Sequence, residues 1–150
     1  MQLSSPEFND GGALPGSASA NRENRLPTLD IAGVPARAQT LALLISDLDS
    51  PLGTITHWLI WNMPRDTHRL SATELPAHRA IGMSGFGKVG YLGPSPPEGE
   101  HRYQFTLLAL DSSLSLAEGA TRAQFDRASA GHIIERAELC GTLTREPNAS

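Results

Sequence analysis

The sequence predicts a mostly β protein, and three observations lead to this fold class. Fourteen glycines and eleven prolines in 150 residues indicate many turns and few long helices. Three apolar runs with branched and aromatic side chains, residues 40–46, 55–64 and 101–110, are typical of strands. Convincing helical periodicity occurs in one long segment, residues 121–134. We therefore expect strands to form the body of the protein.

Length, charge and cysteine content narrow the possible functions. The length fits one domain over residues 1–150. A net charge of −4, without a cluster of Lys or Arg among aromatic residues, argues against a nucleic-acid partner. The single Cys140 excludes an intramolecular disulfide, and we expect it to be a small buried residue of the last strand. The chain has neither a signal-peptide pattern at its start nor the roughly 20 apolar residues of a membrane helix, which predicts a cytoplasmic protein without a transmembrane segment.

The first half of the chain is predicted to contribute three strands before the second apolar run. Residues 2–5 form a short strand, and residues 29–31 form an edge strand because Pro27 and Pro35 bracket them. Residues 40–46 are apolar on both faces, which is typical of a central strand.

The second half combines a long connection with helix and strand signals. Residues 65–87 have weak patterning and a glycine-rich end, as functional loops often do. Ser115, with Glu118 three residues later, predicts a capping box and a short helix. The long helix over residues 121–134 follows, and residues 138–143 are predicted to form a short final strand.

A rigid loop precedes the strand that starts at His101. Glycines and prolines between residues 90 and 99 exclude helix and ladder pairing there. Along the strand, His101 and Tyr103 share one face with the apolar side chains, and Arg102 points to the other. Pro96 and Pro97 can wall a cavity because they have no N–H to satisfy. We interpret this stretch as one wall of a preformed ligand pocket.

Two aspartates and a histidine are predicted to reach the same place. Antiparallel pairing of the strands before and after residues 52–54 brings Asp47 next to His57, where the carboxylate would raise the imidazole pKa. Simple alternation puts His57 on the face of Leu59 and Trp61. The alternatives are that both aspartates cap turns and that His57 is a core residue. We also expect Arg102, buried on the opposite face, to pair with Asp49.

These residues favour binding of a small oxyanion over catalysis. Imidazole, phenol and loop N–H groups are hydrogen-bond donors, as phosphate, sulfate or carboxylate requires. Nucleophile-elbow, phosphate-loop, dinucleotide and His-Glu-x-x-His patterns are all missing, and no cofactor is indicated. An open metal site made of one Asp and two His, and hence a metal-assisted hydrolase, is the catalytic alternative. The candidate site consists of Asp47, Asp49, His57, His101 and Tyr103, walled by Pro51, Pro96, Pro97 and the glycines, among them Gly93.

Three segments together resemble the phosphatidylethanolamine-binding protein (PEBP) family, in particular its bacterial and archaeal branch related to Raf kinase inhibitor protein, the YbhB/YbcL-like group. They are Asp47-Leu48-Asp49-Ser50-Pro51, His57-Trp58 with the following strand, and the stretch from Gly90 to Phe105. The resemblance covers nearly the whole chain. Leu48, between the two aspartates, and Ile31 depart from the family pattern, in which proline and tryptophan are usual.

The resemblance implies a fold and a site. The fold would be a central β-sheet packed with a smaller second sheet, one C-terminal helix and short helices. The ligand, a phosphate-like group, would contact Asp47, His57, Pro96, Pro97, His101 and Tyr103, with Asp49, Pro51 and Arg102 in support. The Ser50–Pro51 bond would be cis. Known family activities are binding of phospholipid head groups or nucleotides and inhibition of kinases or proteases, so a kinase or protease partner is the alternative function. A homodimer is left open.

Overall fold

The computed structural model describes residues 1–145, which form two mainly antiparallel β-sheets and one short α-helix. The large sheet has the strand order β2-β9-β8-β4-β5-β7, and the small sheet has the order β1-β3-β6. The mostly β fold class, with a smaller second sheet, is confirmed. The elements are β1 Gln2–Ser4, β2 Gly12–Ala13, a 3-10 turn Gly16–Ala18, β3 Leu29–Ala32, β4 Thr40–Asp47, β5 Ile55–Pro64, β6 Arg69–Leu70, β7 Ala80–Ile81, β8 Glu100–Leu110, α1 Arg122–Ser129 and β9 Ile133–Thr144.

The central strand of the large sheet is β4, as its apolar sequence predicts. All eight of its residues are buried, and it pairs antiparallel with β5 on one side and β8 on the other. Leu43 and Ile45 belong to the main core between the two sheets. Ala42 and Leu44 belong to a second core under α1. A strand with apolar partners on both faces needs no alternation, which explains the continuous apolar run.

The small sheet covers the main core from one side. Leu3 of β1 pairs with Ile31 of β3, and Leu29 of β3 pairs with Leu70 of β6. These four side chains pack in the main core. β3 therefore has a partner strand on each side, so the prediction of an edge strand at residues 29–31 is wrong. The flanking prolines only limit its length.

The C-terminal half has a shorter helix and a longer strand than predicted. Thr121 is the N-cap of α1, and its side chain and that of Gln124 form a reciprocal capping box. The helix ends at Ser129, and Gly131, with φ of +81°, helps turn the chain into β9. The predicted helix over residues 121–134 is thus too long, because the end of that segment already pairs with β8.

Three smaller C-terminal predictions also need correction. The capping box predicted at Ser115 is not formed, and the structure has no helix there. The last strand extends well beyond residues 138–143, because β8 offers a pairing partner along its whole length. Cys140 lies half-buried in β9 with a free thiol, and its partial burial raises the thiol pKa.

Candidate functional site

A cavity of about 390 Å³, called here the strand-end pocket, lies where β4 ends and β5 begins, next to the loop before β8. Its volume falls within the range of small-molecule sites. The pocket combines a polar floor of histidine and aspartate with a largely apolar wall. It is lined by Ala20, Asp47, Ser50, Pro51, Leu52, Ile55, His57, Phe86, Leu92, Gly93, Ser95, Pro97 and His101.

A β-bulge positions His57 in the pocket. Ile45 of β4 pairs with Trp58, whereas Ser46 pairs with Thr56, so His57 is an extra residue without a partner on β4. A bulge lets two consecutive side chains share a face and re-aims them locally. His57 therefore lies on the face of Trp58, within ring contact of Tyr103, at 5.4 Å between centroids. Simple alternation, which assigned it to the face of Leu59 and Trp61, is wrong here.

The hydrogen bonds of His57 define its tautomer. Its Nδ1 lies 2.8 Å from the carbonyl oxygen of Leu92. A carbonyl oxygen only accepts hydrogen bonds, so Nδ1 must donate and carry the hydrogen in the neutral ring. Nε2 of the neutral ring is then an acceptor, and it becomes a donor only when the imidazole is protonated.

Burial favours the neutral form of the His57 imidazole, compared with the same ring in water. The side chain is almost fully buried, and this desolvation lowers the pKa of His57 from its ordinary value. The Leu92 carbonyl and the negative charge of Asp47 act in the opposite direction but are weaker. The predicted rise of the His57 pKa is therefore wrong.

The direct partner of Asp47 is His101 and not His57. Asp47 Oδ2 accepts a hydrogen bond from His101 Nδ1 at 2.8 Å, and both side chains are buried. Asp47 Oδ1 accepts the backbone N–H of Asp49 at 2.8 Å. The cross-strand pairing of Asp47 with Tyr103 on β8 brings the neighbouring His101 within reach. Asp47 thus fixes the His101 ring and caps the turn after β4 at the same time. The capping alternative is therefore correct for Asp47 but wrong for Asp49, whose carboxylate accepts from Arg102 of β8.

Tyr103 lies behind the two histidines and not in the pocket lining. Its ring centroid is 5.4 Å from that of His57 and 6.4 Å from that of His101. Its buried hydroxyl has no hydrogen-bond partner within residues 1–145. Burial, and secondarily the charge of Asp47, raise the phenol pKa well above its usual value. Tyr103 therefore keeps its proton and is a donor at neutral pH.

Asp49 and Arg102 form a second carboxylate contact at the edge of the site. The guanidinium Nη2 donates to Asp49 Oδ1 at 2.8 Å, and Nε donates to Oδ2 at 3.0 Å. The backbone N–H of Arg102 also donates to Oδ2, and these bonds hold the pKa of Asp49 at about 2. The predicted pairing is confirmed. The prediction that Arg102 is buried is wrong, since 58% of its side chain is exposed where β8 emerges from the loop.

The prolines and Gly93 have different places around the pocket. Pro51 and Pro97 line it, whereas Pro96 is buried outside the lining. The Ser50–Pro51 bond is trans, contrary to the expectation from the family resemblance. Gly93 lines the pocket and approaches the backbone of Ala18 so closely that a Cβ would overlap the Ala18 carbonyl oxygen.

Several lining residues escaped the sequence analysis. Phe86 contacts the His57 ring edge-on at 5.0 Å between centroids, and Leu52 and Ile55 complete the apolar wall. Phe86 belongs to the connection at residues 65–87 whose glycines predicted a functional loop. An aromatic residue between two glycines of this loop was the signal that could have identified it.

No group of three or more His, Cys, Asp or Glu side chains that could hold a metal ion occurs in the described part of the chain. His57 and His101 each direct Nδ1 to an oxygen of the protein itself. The donor set predicted for a metal-assisted hydrolase is therefore not assembled by these residues.

The fold and the pocket together define a β-sheet protein with a ligand-sized pocket at the strand ends, and comparison with known proteins identifies its class. The family model described as phosphatidylethanolamine-binding protein matches residues 4–144. The chain belongs to this family, as its sequence resemblance predicts.

Individual relatives extend the match over almost the entire chain. A UPF0098 protein of Methanothermobacter thermautotrophicus is 40% identical over 150 residues, which cover 97% of this chain and 99% of that protein. The crystal structure of a PEBP homologue from Chlamydia trachomatis has a TM-score of 0.92 at 35% identity, covering 97% of each chain. That of Escherichia coli YbcL, described as a member of the mammalian PEBP family, has a TM-score of 0.89 at 26% identity, covering 97% of this chain and 98% of that one.

Among the described helices, none combines the length and apolar character needed to cross a membrane.

Proposed function

We propose that the strand-end pocket binds a small anionic ligand, a phosphate-like group carried by a phospholipid head group, a nucleotide or another phosphoester. The observation that carries this proposal is the arrangement of the two histidines. Each commits Nδ1 to a fixed protein oxygen, Leu92 O for His57 and Asp47 Oδ2 for His101. Each ring is thereby held in one orientation, and Nε2 is the atom left to bind a ligand.

Binding of an anion beside these imidazoles is electrostatically favourable. Burial disfavours the charged form of His57, and an incoming anion offsets this cost by supplying the opposite charge. Asp47 accepts the hydrogen bond of His101 Nδ1 and so holds that ring in place. Tyr103 packs behind both rings and helps to hold them, since it does not line the pocket itself. A charge-assisted hydrogen bond contributes about 1.5–3 kcal/mol.

Cavity size and wall character favour a phosphoester over inorganic phosphate alone. A volume of about 390 Å³ leaves space beside a phosphate group for the rest of a small organic molecule. The apolar wall formed by Leu52, Ile55 and Phe86 can contact that remainder. The name of the family, which refers to binding of a phosphoester lipid, is consistent with this choice of ligand class.

We infer that the pocket binds without catalysing a reaction. His57 and His101 are both anchored through Nδ1, and no serine or cysteine hydrogen-bonds to either ring among residues 1–145. The activated nucleophile of covalent catalysis requires such a contact between nucleophile and base.

A thermal-shift screen tests the proposal. Phosphate, phosphorylethanolamine, nucleotides and divalent metal ions are added to the parent protein, to His57→Ala and to the control His68→Ala, whose imidazole is exposed on a distant loop. A ligand at a hundredfold excess over its dissociation constant should stabilise the parent by about 2.7 kcal/mol. We expect phospho-compounds to stabilise the parent and His68→Ala but not His57→Ala. Equal stabilisation of all three proteins would overturn the site assignment.

The second candidate function is inhibition of a protein kinase or protease through the surface around the pocket. The observation in its favour is an exposed apolar rim, since Leu52 and Phe86 are 87% and 52% exposed. Under this proposal Leu52→Ser and Phe86→Ser should weaken inhibition in a panel of kinases and proteases, whereas His57→Ala should leave it intact. An inhibition pattern that follows His57 alone would contradict it.

A further inference from the structure

A second cavity lies on the opposite face of the large sheet from the strand-end pocket. We propose that it is a binding site for a small tetrahedral oxyanion of the sulfate or inorganic phosphate class. This helix-side cavity has a volume of about 90 Å³ and lies between the sheet and α1. Its polar lining residues are Ser46, Thr106, Arg122, Asp126, Ser129 and Arg136.

The two sites lie back to back because neighbouring residues of one strand point to opposite faces. Asp47 faces the strand-end pocket, and the preceding Ser46 lines the helix-side cavity. On β5, His57 lines the pocket, whereas the preceding Thr56 accepts a hydrogen bond from Arg122 on the helix side. The large sheet thus separates the two sites by a single layer of backbone.

Two arginines supply the positive charge of the helix-side cavity. Arg122 is fixed by Asp126, whose Oδ1 accepts from Nε at 2.8 Å, and by Thr56, whose hydroxyl accepts from Nη1 at 3.2 Å. Arg136 of β9 has neither an ion pair nor a hydrogen bond from its side chain to any described residue. A guanidinium presents five N–H donors, so both side chains retain capacity for an anion.

Hydroxyl groups form the floor of the cavity. Ser46 is only 9% exposed, yet its hydroxyl makes no hydrogen bond within residues 1–145. The Thr106 hydroxyl is likewise without a protein partner in that range. Ser129 is 2% exposed and has only a long contact of 3.4 Å to the carbonyl oxygen of Asp126. The Ser46 hydroxyl without a partner, the half-buried Thr106 hydroxyl and the weakly bonded Ser129 hydroxyl lie beside two guanidinium groups, and together these donors match the oxygens of a tetrahedral anion.

Charge and size select the ligand class. Asp126 is the single carboxylate in the lining, and it is engaged by Arg122. Glu138 pairs across the sheet with Thr106 but does not line the cavity. The cavity volume is less than a quarter of that of the strand-end pocket, which excludes a nucleotide or a lipid head group. This inference goes beyond the proposed function and does not rest on it.

A sulfate titration followed by two-dimensional NMR tests the second site. Sulfate replaces chloride at constant ionic strength, and the signals of Ser46, Thr106 and the arginine side chains are monitored in the parent and in His57→Ala. We expect saturating shifts of these signals in both proteins, because His57 belongs to the other face. Arg136→Gln should bind sulfate roughly tenfold more weakly, the usual effect of losing one charged hydrogen bond.

Two further variants complete the design. Arg127→Gln removes the same charge from an exposed position of α1 outside the cavity, and it should bind like the parent. Ser46→Ala removes a floor hydroxyl with little change in volume and should also weaken binding. Linear shifts without saturation, or equal losses in Arg127→Gln and Arg136→Gln, would show ionic screening only and overturn the inference. Shifts that vanish in His57→Ala would overturn it as well. If only the strand-end pocket fails to bind, the sulfate-induced shifts at Ser46 remain.

Discussion

The hydrogen bonds of Asp47 predict the outcome of replacing it by asparagine. Asp47 accepts two N–H groups, from the His101 ring and from the Asp49 backbone, each at 2.8 Å. Asparagine has the same shape but only one acceptor oxygen, and its NH₂ group must face one of the two donors. The Asp49 backbone N–H cannot change, so the amide oxygen must stay there and the NH₂ group faces His101 Nδ1. The charge-assisted bond is then lost, and the ring can keep only a neutral bond by moving its hydrogen to Nε2.

The expected cost follows from the burial of this contact. Loss of a hydrogen bond to a charged group costs about 1.5–3 kcal/mol, and relief from burying a carboxylate offsets part of it. We therefore expect Asp47→Asn to lower the free energy of unfolding by about 1–3 kcal/mol. For a chain of this length, such a loss lowers the melting temperature by roughly 2–12 °C.

Thermal and urea unfolding of matched variants checks this estimate. Asp30→Asn is the control, because Asp30 pairs with Arg69 at 2.7 Å while 36% of its side chain is exposed. An exposed ion pair contributes at most about 1 kcal/mol. If Asp47→Asn melts within a degree of Asp30→Asn, the bond between Asp47 and His101 does not hold the site together and the reasoning above is refuted.

Three further outcomes follow from the site. Because burial lowers the pKa of His57, sulfate binding in the strand-end pocket should be accompanied by protonation of the ring. The affinity should therefore rise by up to about tenfold per pH unit as the pH falls toward that pKa, and then level off. Calorimetry at several pH values checks this, and His57→Gln should give a flat profile. Arg102→Ala should lower stability only slightly, because the pair with Asp49 is exposed and the backbone bond remains; a urea midpoint identical to that of the parent would remove any role of the pair in holding the two loops in register. Gly93→Ala should destabilise by about 1–3 kcal/mol or more, because the new methyl group meets the Ala18 carbonyl oxygen; a parent-like melting curve would show that the loop moves aside easily.

Much of the fold could be predicted because its main strands carry local signals. The apolar run of β4, the aromatic run of β5 and the alternation of β8 all specify strands without reference to distant residues. Alternation along β8 also predicted correctly that His101 and Tyr103 share a face. The family resemblance supplied the second sheet, which residues 2–5 and 29–31 indicate only weakly by themselves.

The errors arose where a distant partner decides the conformation. Ile133 has helical spacing with Phe125, but pairing with Leu110 of β8 draws it into β9. The predicted partner of Asp47 was His57, the nearest histidine in sequence, whereas the bond is made across to β8. The apolar wall of the pocket was also not predicted, because Leu52 and Phe86 come from separate loops.

The sequence by itself determined the fold class, the family, the central strands and the set of polar residues around the strand-end pocket, because these depend on local pattern and residue type. Only the tertiary structure decided how that set is connected. The bulge in β5 turns His57 to the face of Asp47, and the register of β4 against β8 places His101 within hydrogen-bond distance of Asp47. Both are properties of strand pairing, which places residues more than fifty positions apart within hydrogen-bond distance and leaves no mark in the spacing of either strand.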